Sequence, residues 1–273
     1  MTRLNVCVAF LLLLASSAAA QPSPATSGVA AVAPAPVLGP AVAGVPGTSA
    51  PETPLPSFGS LFRDLGSDVR HLPTWQHGAI LGIAGAASLA VHGEDGDITR
   101  RAAHAPALDM VFESGDVLGS GALHGGLAAA TFALGHALGN IELATVGADL
   151  ARAQLLTAVM TQGLKLSVNR HRPDGTRFSF PSGHASATFA TATVLQRHYG
   201  WKVGVPAYGM AAYVGASRLQ ENRHYMSDVI FGAALGAIGG RAVTVGHGTS
   251  TFALTPIAGP HGSGVGLTLI GAR

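Results

Sequence analysis

Charge is what this sequence has least of. Only 11% of its 273 residues are Asp, Glu, Lys or Arg, against about 25% in an ordinary soluble domain. The 16 basic and 14 acidic residues leave a net charge of +2. A field that weak does not attract polyanions, which excludes a nucleic-acid binder. It also excludes the highly charged type of disordered chain. Cysteine is nearly absent. The single one, Cys7, falls within an N-terminal stretch that reads as a signal. Without it the chain can form no disulfide, no thiol nucleophile and no cysteine metal site. Aromatics amount to 6%, and no interfacial belt of them is visible. Long runs of large apolar residues are scarce too. The apolar stretches lean on Ala and Gly, with 37 glycines in all, and only large side chains insert into lipid with a gain of about 0.3 to 0.6 kcal/mol each. These absences favour an exported globular bundle, with membrane association as the alternative.

The order of segments is legible from composition. In residues 1–20, Arg3 precedes an apolar run from Val6 to Ala15, and Ala18-Ala19-Ala20 stands before Gln21. That is the layout of a signal peptide, and the run is too short to span a bilayer. Residues 21–56 are dominated by Pro, Ala, Gly, Ser and Thr and read as a disordered linker. Residues 57–245 form a helical domain. Its apolar stretches predict six helices, over Trp75–His92, Gly119–Leu138, Ile141–Leu166, Ala185–Tyr199, Val203–Ser217 and Tyr225–Val243. Short connections between them predict an all-α fold, a bundle of about six core helices. Glu94, Asp95 and Asp97 do not match a calcium loop and read as a solvated turn. In the tail, residues 246–273, two alternating runs flank AGPHGSG and predict a short β-hairpin.

The chemistry gathers between Lys165 and Asp228. Lys165 and Arg172 are seven apart, which puts them on one face of a helix that Pro173 ends. Two cations at a helix end suit a dianion. Phe180-Pro181-Ser182-Gly183-His184 opens the next helix. Ser182 can cap it, Gly183 leaves room at the backbone, and free N–H groups at a helix N-terminus bind anions. Ser217-Arg218 closes another helix. His224 and Asp228 are four apart, which places them on one face of the last helix. A carboxylate there holds one imidazole nitrogen and leaves the other to attack. Arg170, His171, Arg177, Asn222 and Arg223 read as a solvated rim.

Together, K-x6-RP, PSGH and SR-x5-H-x3-D resemble the signature of the type-2 phosphatidic acid phosphatase and vanadium haloperoxidase superfamily. The resemblance implies that Lys165, Arg172, Ser182, Gly183 and Arg218 bind phosphoryl oxygens. It implies that His224 is the nucleophile, that Asp228 orients it, and that His184 protonates the leaving oxygen and then activates water. The implied activity is that of an exported, metal-independent phosphoric monoester hydrolase with a phosphohistidine intermediate, in the periplasm or cell envelope. Its substrate would be a phosphorylated small molecule or a lipid head group. No cofactor is implied, and vanadate is expected to act as an inhibitor or phosphate mimic. Other readings compatible with the motif are a vanadate-dependent haloperoxidase and a non-enzymatic envelope protein that keeps the fold. One departure concerns the substrate entrance. Only DGTRFSF lies between Pro173 and Pro181, a short linker for this family.

Overall fold

A computed structural model describes residues 54–104 and 109–245, and the backbone of 250–259 and 262–271. The signal segment 1–20 and residues 21–53 of the linker lie outside the described residues. From Phe58 on the chain is helical. The helices are α1 (Phe58–Arg70), α2 (Trp75–His92), α3 (Asp95–Ala103), α4 (Asp109–Phe112), α5 (Gly115–Leu118), α6 (Gly121–Ala137), α7 (Ile141–Val168), α8 (Gly183–Tyr199), α9 (Trp201–Gln220) and α10 (Met226–Val243). Two strands follow, β1 (Ser250–Gly259) and β2 (Gly262–Gly271), paired antiparallel from Ser250↔Gly271 to Gly259↔Gly262.

Local signals set most of the starts. Ser57, Thr74, Ser120, Asn140 and Ser182 each accept a hydrogen bond from a backbone N–H of the first turn. Such caps satisfy donors that a helix leaves orphaned. The end of α7 departs from expectation. Asn169 adopts a left-handed conformation at φ 48°, so the helix stops after Val168 and Arg172 stands in the following loop rather than on the helix face of Lys165. A second departure is at the last helix. It starts at Met226 with Tyr225 as its cap, so His224 lies just outside it. A third is the acidic run, where Glu94 and Asp97 are exposed but Asp95 is not. Asp95 begins α3 and is 2% exposed.

Packing explains the glycine content. Helix α10 packs on α8, α2 and α7, while α6 packs on α7 and α9 on α8. A Cβ added at Gly232 would lie 2.5 Å from the Ser182 carbonyl oxygen, and one at Gly236 would lie 2.3 Å from that of Ser186. At Gly240 it would meet Thr193. Three glycines four apart thus let the backbone of α10 lie directly against α8. Buried Leu143, Val146, Leu150, Ala153 and Leu156 mark the inner face of α7 at helical spacing. Met226–Val243 is long and apolar enough to cross a membrane, with mean hydropathy 1.3, and 61% of it is buried. Outward-facing Ile83, Leu89, Val159 and Leu166 remain exposed.

Candidate active site

The C-terminal ends of α7 and α9 and the N-terminal ends of α8 and α10 meet at one end of the bundle. Between them lies a cavity of about 290 Å³ lined by Lys165, Arg172, Gly183, His184 and His224, among others. The loop from Asn169 to Ser182 joins two of these helix ends. It is held by Ser179 N donating to the Arg170 carbonyl at 2.9 Å and by Ser182 N donating to the Asp228 carbonyl at 2.9 Å. The rings of Phe180 and Phe231, 4.9 Å apart, dock it on α10.

Lys165 is buried, and its Nζ donates to the Phe178 carbonyl at 2.6 Å. Phe178 presents that oxygen from a left-handed backbone, φ 66°, which is rare for a bulky residue. Burial, then the charge of Arg172, pulls the lysine pKa down to about 8 against the attraction of Asp228. Arg172 Nε is buried without a hydrogen-bond partner. An unpaired donor of that kind costs free energy until something accepts from it. Ser182 is fully buried as the cap of α8, so its side chain serves the helix start. Gly183 follows it and lines the cavity with its backbone.

His224 is 3% exposed and Asp228 is completely buried. Nδ1 of His224 lies 3.6 Å from Oδ2 of Asp228, close enough for a strong charge interaction but beyond a hydrogen bond. Burial lowers the His224 pKa, and the positive charges of Lys165 and Arg172 add to this while Asp228 opposes it. Burial alone would raise that of Asp228. The partners around it win, and its carboxyl is held below the usual range by His224, by Ser179 Oγ, by the backbone N–H of Tyr225 and by Arg170.

Arg218 sits apart from the other cations. It is 2% exposed, and its guanidinium donates to Asp116 Oδ1 at 2.8 Å and to Glu221. The same Asp116 oxygen is 3.2 Å from Nε2 of His184. One carboxylate oxygen therefore bridges the cation and the imidazole that the motif assigns to phosphate. Burial, then the charge of Arg218, lowers the His184 pKa to about 4, and Asp116 opposes the drop. The close approach of this segment depends on Gly119, where a Cβ would come within 2.7 Å of the His184 ring.

Asp116 is a residue that sequence reasoning missed, because nothing in its spacing ties it to His184 or Arg218. Arg170 is a second residue that the motif reading passed over. Expected at a solvated rim, it is instead a mostly buried connector with bonds to Asp228 and Asp95. His171, Arg177 and Arg223 are exposed.

Residues 146–252 match the model of the PAP2 superfamily. Over 94 residues, 33% of this chain, the sequence is 42% identical to a lipid A 1-phosphatase of Porphyromonas gingivalis, and the match spans 21% of that protein's length. The fold is similar to a solved transmembrane PAP2-type phosphatidylglycerolphosphate phosphatase from Bacillus subtilis, with TM-score 0.50 and 23% identity over 63% of this chain and 96% of the other. The structure of Aquifex aeolicus LpxE gives TM-score 0.47 and 26% identity over 54% and 92% of the two chains. The segments from Lys165 to Asp228 that carry the cations, the histidines and Asp228 all lie inside the region that matches the PAP2 superfamily model.

Proposed function

We propose that this protein is a lipid phosphate phosphatase that works through a phosphohistidine at His224. The observation that carries this reading is the single cavity that Lys165, Arg172, His184 and His224 share, with Asp228 behind the nucleophile. Nδ1 of His224 faces Asp228, which leaves Nε2 to attack phosphorus. Lys165, Arg172 and the first N–H groups of α8 take the non-bridging oxygens, as a helix N-terminus does for phosphate. The buried, unpartnered Nε of Arg172 gains an acceptor in that complex. Arg218 holds Asp116 beside His184 and adds positive charge on that side of the site.

The steps balance without an outside reactant. Nε2 forms a bond to phosphorus as the P–O bond to the leaving alcohol breaks. His184, whose protonated form the arriving phosphate dianion stabilises against the drop caused by burial and Arg218, gives that oxygen its proton. His184 then takes a proton from water, whose oxygen attacks phosphorus and expels His224. The products are the alcohol and inorganic phosphate. Asp228 stabilises the positive imidazole during the covalent stage. Charge on the transferring group is offset by lysine and arginine, so the proposed reaction runs without a divalent metal.

The lipid assignment is supported by the outward apolar residues Ile83, Leu89, Val159 and Leu166. It is also supported by the relative at 42% identity, a phosphatase named for a lipid substrate. We place the protein at a membrane in the cell envelope, reached through the expected signal in residues 1–20. Purified protein should release phosphate from phosphatidic acid, phosphatidylglycerophosphate or a phosphorylated glycolipid faster than from p-nitrophenyl phosphate, and EDTA should not reduce the rate. Turnover of soluble esters alone would overturn the lipid assignment. Loss of activity in EDTA, restored by Mg²⁺, would overturn the metal-independent mechanism.

A further inference from the structure

Asp228 has more partners than an orienting carboxylate needs. Its Oδ2 accepts from Ser179 Oγ and from the backbone N–H of Tyr225 at 2.9 Å. Its Oδ1 accepts from Arg170 at 2.8 Å. Arg170 in turn donates to Ser227 Oγ at 2.7 Å and to Asp95 Oδ2 at 3.0 Å, and its guanidinium lies 4.2 Å over the ring of Tyr225. Asp95 accepts from the backbone N–H of Ser227 at 3.0 Å and from its hydroxyl. The side chains of Asp95 and Asp228 are 3% and 0% exposed, and that of Arg170 is 20% exposed. A cation thus lies between two buried carboxylates, one from α3 and one from α10.

Resting on the phosphohistidine reading above, we infer that Arg170 and Asp95 are a positioning pair for the nucleophile, which fixes Asp228 in place and sets how strongly it attracts the charge on His224. The mechanical part follows from the geometry. Arg170 bonds to one oxygen of Asp228, leaving the other toward His224. Planar guanidinium groups hold two carboxylates in fixed directions, which a lysine cannot do equally well. The electrostatic part follows from the alternation of charge along His224, Asp228, Arg170 and Asp95. Arg170 moderates the pull of Asp228 on the imidazole, and Asp95 moderates Arg170. Neither residue reaches the cavity wall through which phosphate would be bound, so the pair should act on turnover and not on affinity.

The remaining charges around Asp228 are Lys165 and Arg172, which act from the side of the cavity; the titratable neighbours are His184, which faces His224, and His92, whose Nδ1 is 3.5 Å from Asp95. They are common to all the variants below. Without Arg170 the His224–Asp228 pair, titrating as a unit, binds its proton more tightly. The active unprotonated form then appears at higher pH. Neutralising Asp95 removes a negative charge instead, and the pair binds its proton less tightly. The two substitutions should move the acid limb of the pH profile in opposite directions.

The test compares full-length wild type, Arg170→Met, Arg170→Lys and Asp95→Asn with p-nitrophenyl phosphate across the acid limb. Arg170→Met should lower kcat on the order of 10- to 100-fold, as loss of a supporting partner does at other sites. The inhibition constant for inorganic phosphate should not change. Arg170→Lys should recover part of kcat. The acid limb should move up in Arg170→Met and down in Asp95→Asn, a pattern that general loss of folding does not produce. Wild-type kcat in Arg170→Met, a fall in phosphate affinity that matches the fall in kcat, or limbs that shift the same way would each overturn the inference. If Arg170→Met does not fold, Arg170→Lys and Asp95→Asn carry the same test. Turnover that survives His224→Ala overturns the phosphohistidine reading itself, and it is observed without any Arg170 variant.

Discussion

The bundle holds a buried histidine–aspartate pair at each end, and the two stand in different surroundings. At the cavity end, His224 and Asp228 are 3.6 Å apart and the imidazole meets an open space. At the other end His198 Nε2 is 2.8 Å from Asp149 Oδ2, with side chains 5% and 2% exposed. Arg152 reaches from the same carboxylate to Asp68 at 2.8 Å and to Asp149. The far cluster ties α1, α7 and α8 together. The cavity cluster instead sets two cations, Lys165 and Arg172, beside the open space. A histidine beside an aspartate is therefore not a catalytic unit by itself. Space next to the imidazole and a surplus of positive charge around that space distinguish the site from the brace.

The sharpest way to break this comparison is to mutate both ends in parallel. His224→Ala should reduce kcat by at least about 10³-fold, as loss of a nucleophile does in other covalent enzymes, with little change in melting temperature. Arg152→Met should do the opposite. It leaves Asp68 and Asp149 buried without their cation, which costs about 3 to 5 kcal/mol, so thermal unfolding should shift strongly downward. Activity per folded molecule should persist. Equal loss of activity in the two variants would show that the ends are not separable.

A smaller effect distinguishes the roles inside the cavity. Asp116 is the carboxylate beside His184, and it holds the imidazole more basic than burial would leave it. Asp116→Asn should lower turnover of an alkyl phosphate on the order of 10-fold, a part of the 10²- to 10⁴-fold worth of general acid catalysis. With p-nitrophenyl phosphate, whose leaving group needs no proton, the loss should be slight. Equal losses on both substrates would remove His184 from the role of acid.

The smallest expected change is in pH dependence. Lys165, with its pKa drawn down to about 8, is protonated below that pH and neutral above it. Phosphate binding should weaken as pH rises through 8, seen as a rise in KM. Lys165→Arg should remove that limb, because arginine stays charged. A limb that persists in Lys165→Arg would assign it to another group.

The sequence by itself determined which residues are candidates for the site. Caps, apolar helices and the spacings of Lys165, Arg172, His184, Arg218, His224 and Asp228 are local properties, set by residue type and by distance along the chain. They were enough to expect an all-α bundle and a phosphate site. Where the local signal was weaker, the details moved. Asn169 took a left-handed turn and left Arg172 off the helix face of Lys165, and α10 began at Met226, which left His224 off the face it was expected to share with Asp228. Tertiary structure alone decided which charges meet. Asp95 is 132 residues from Ser227, and Asp116 is 102 residues from Arg218. No periodicity relates such pairs. They meet because the helix ends are brought together when α10 seats its glycines on α8. Burial then turns a surface turn and a rim arginine into paired charges, since a buried charge must find its partner inside the protein.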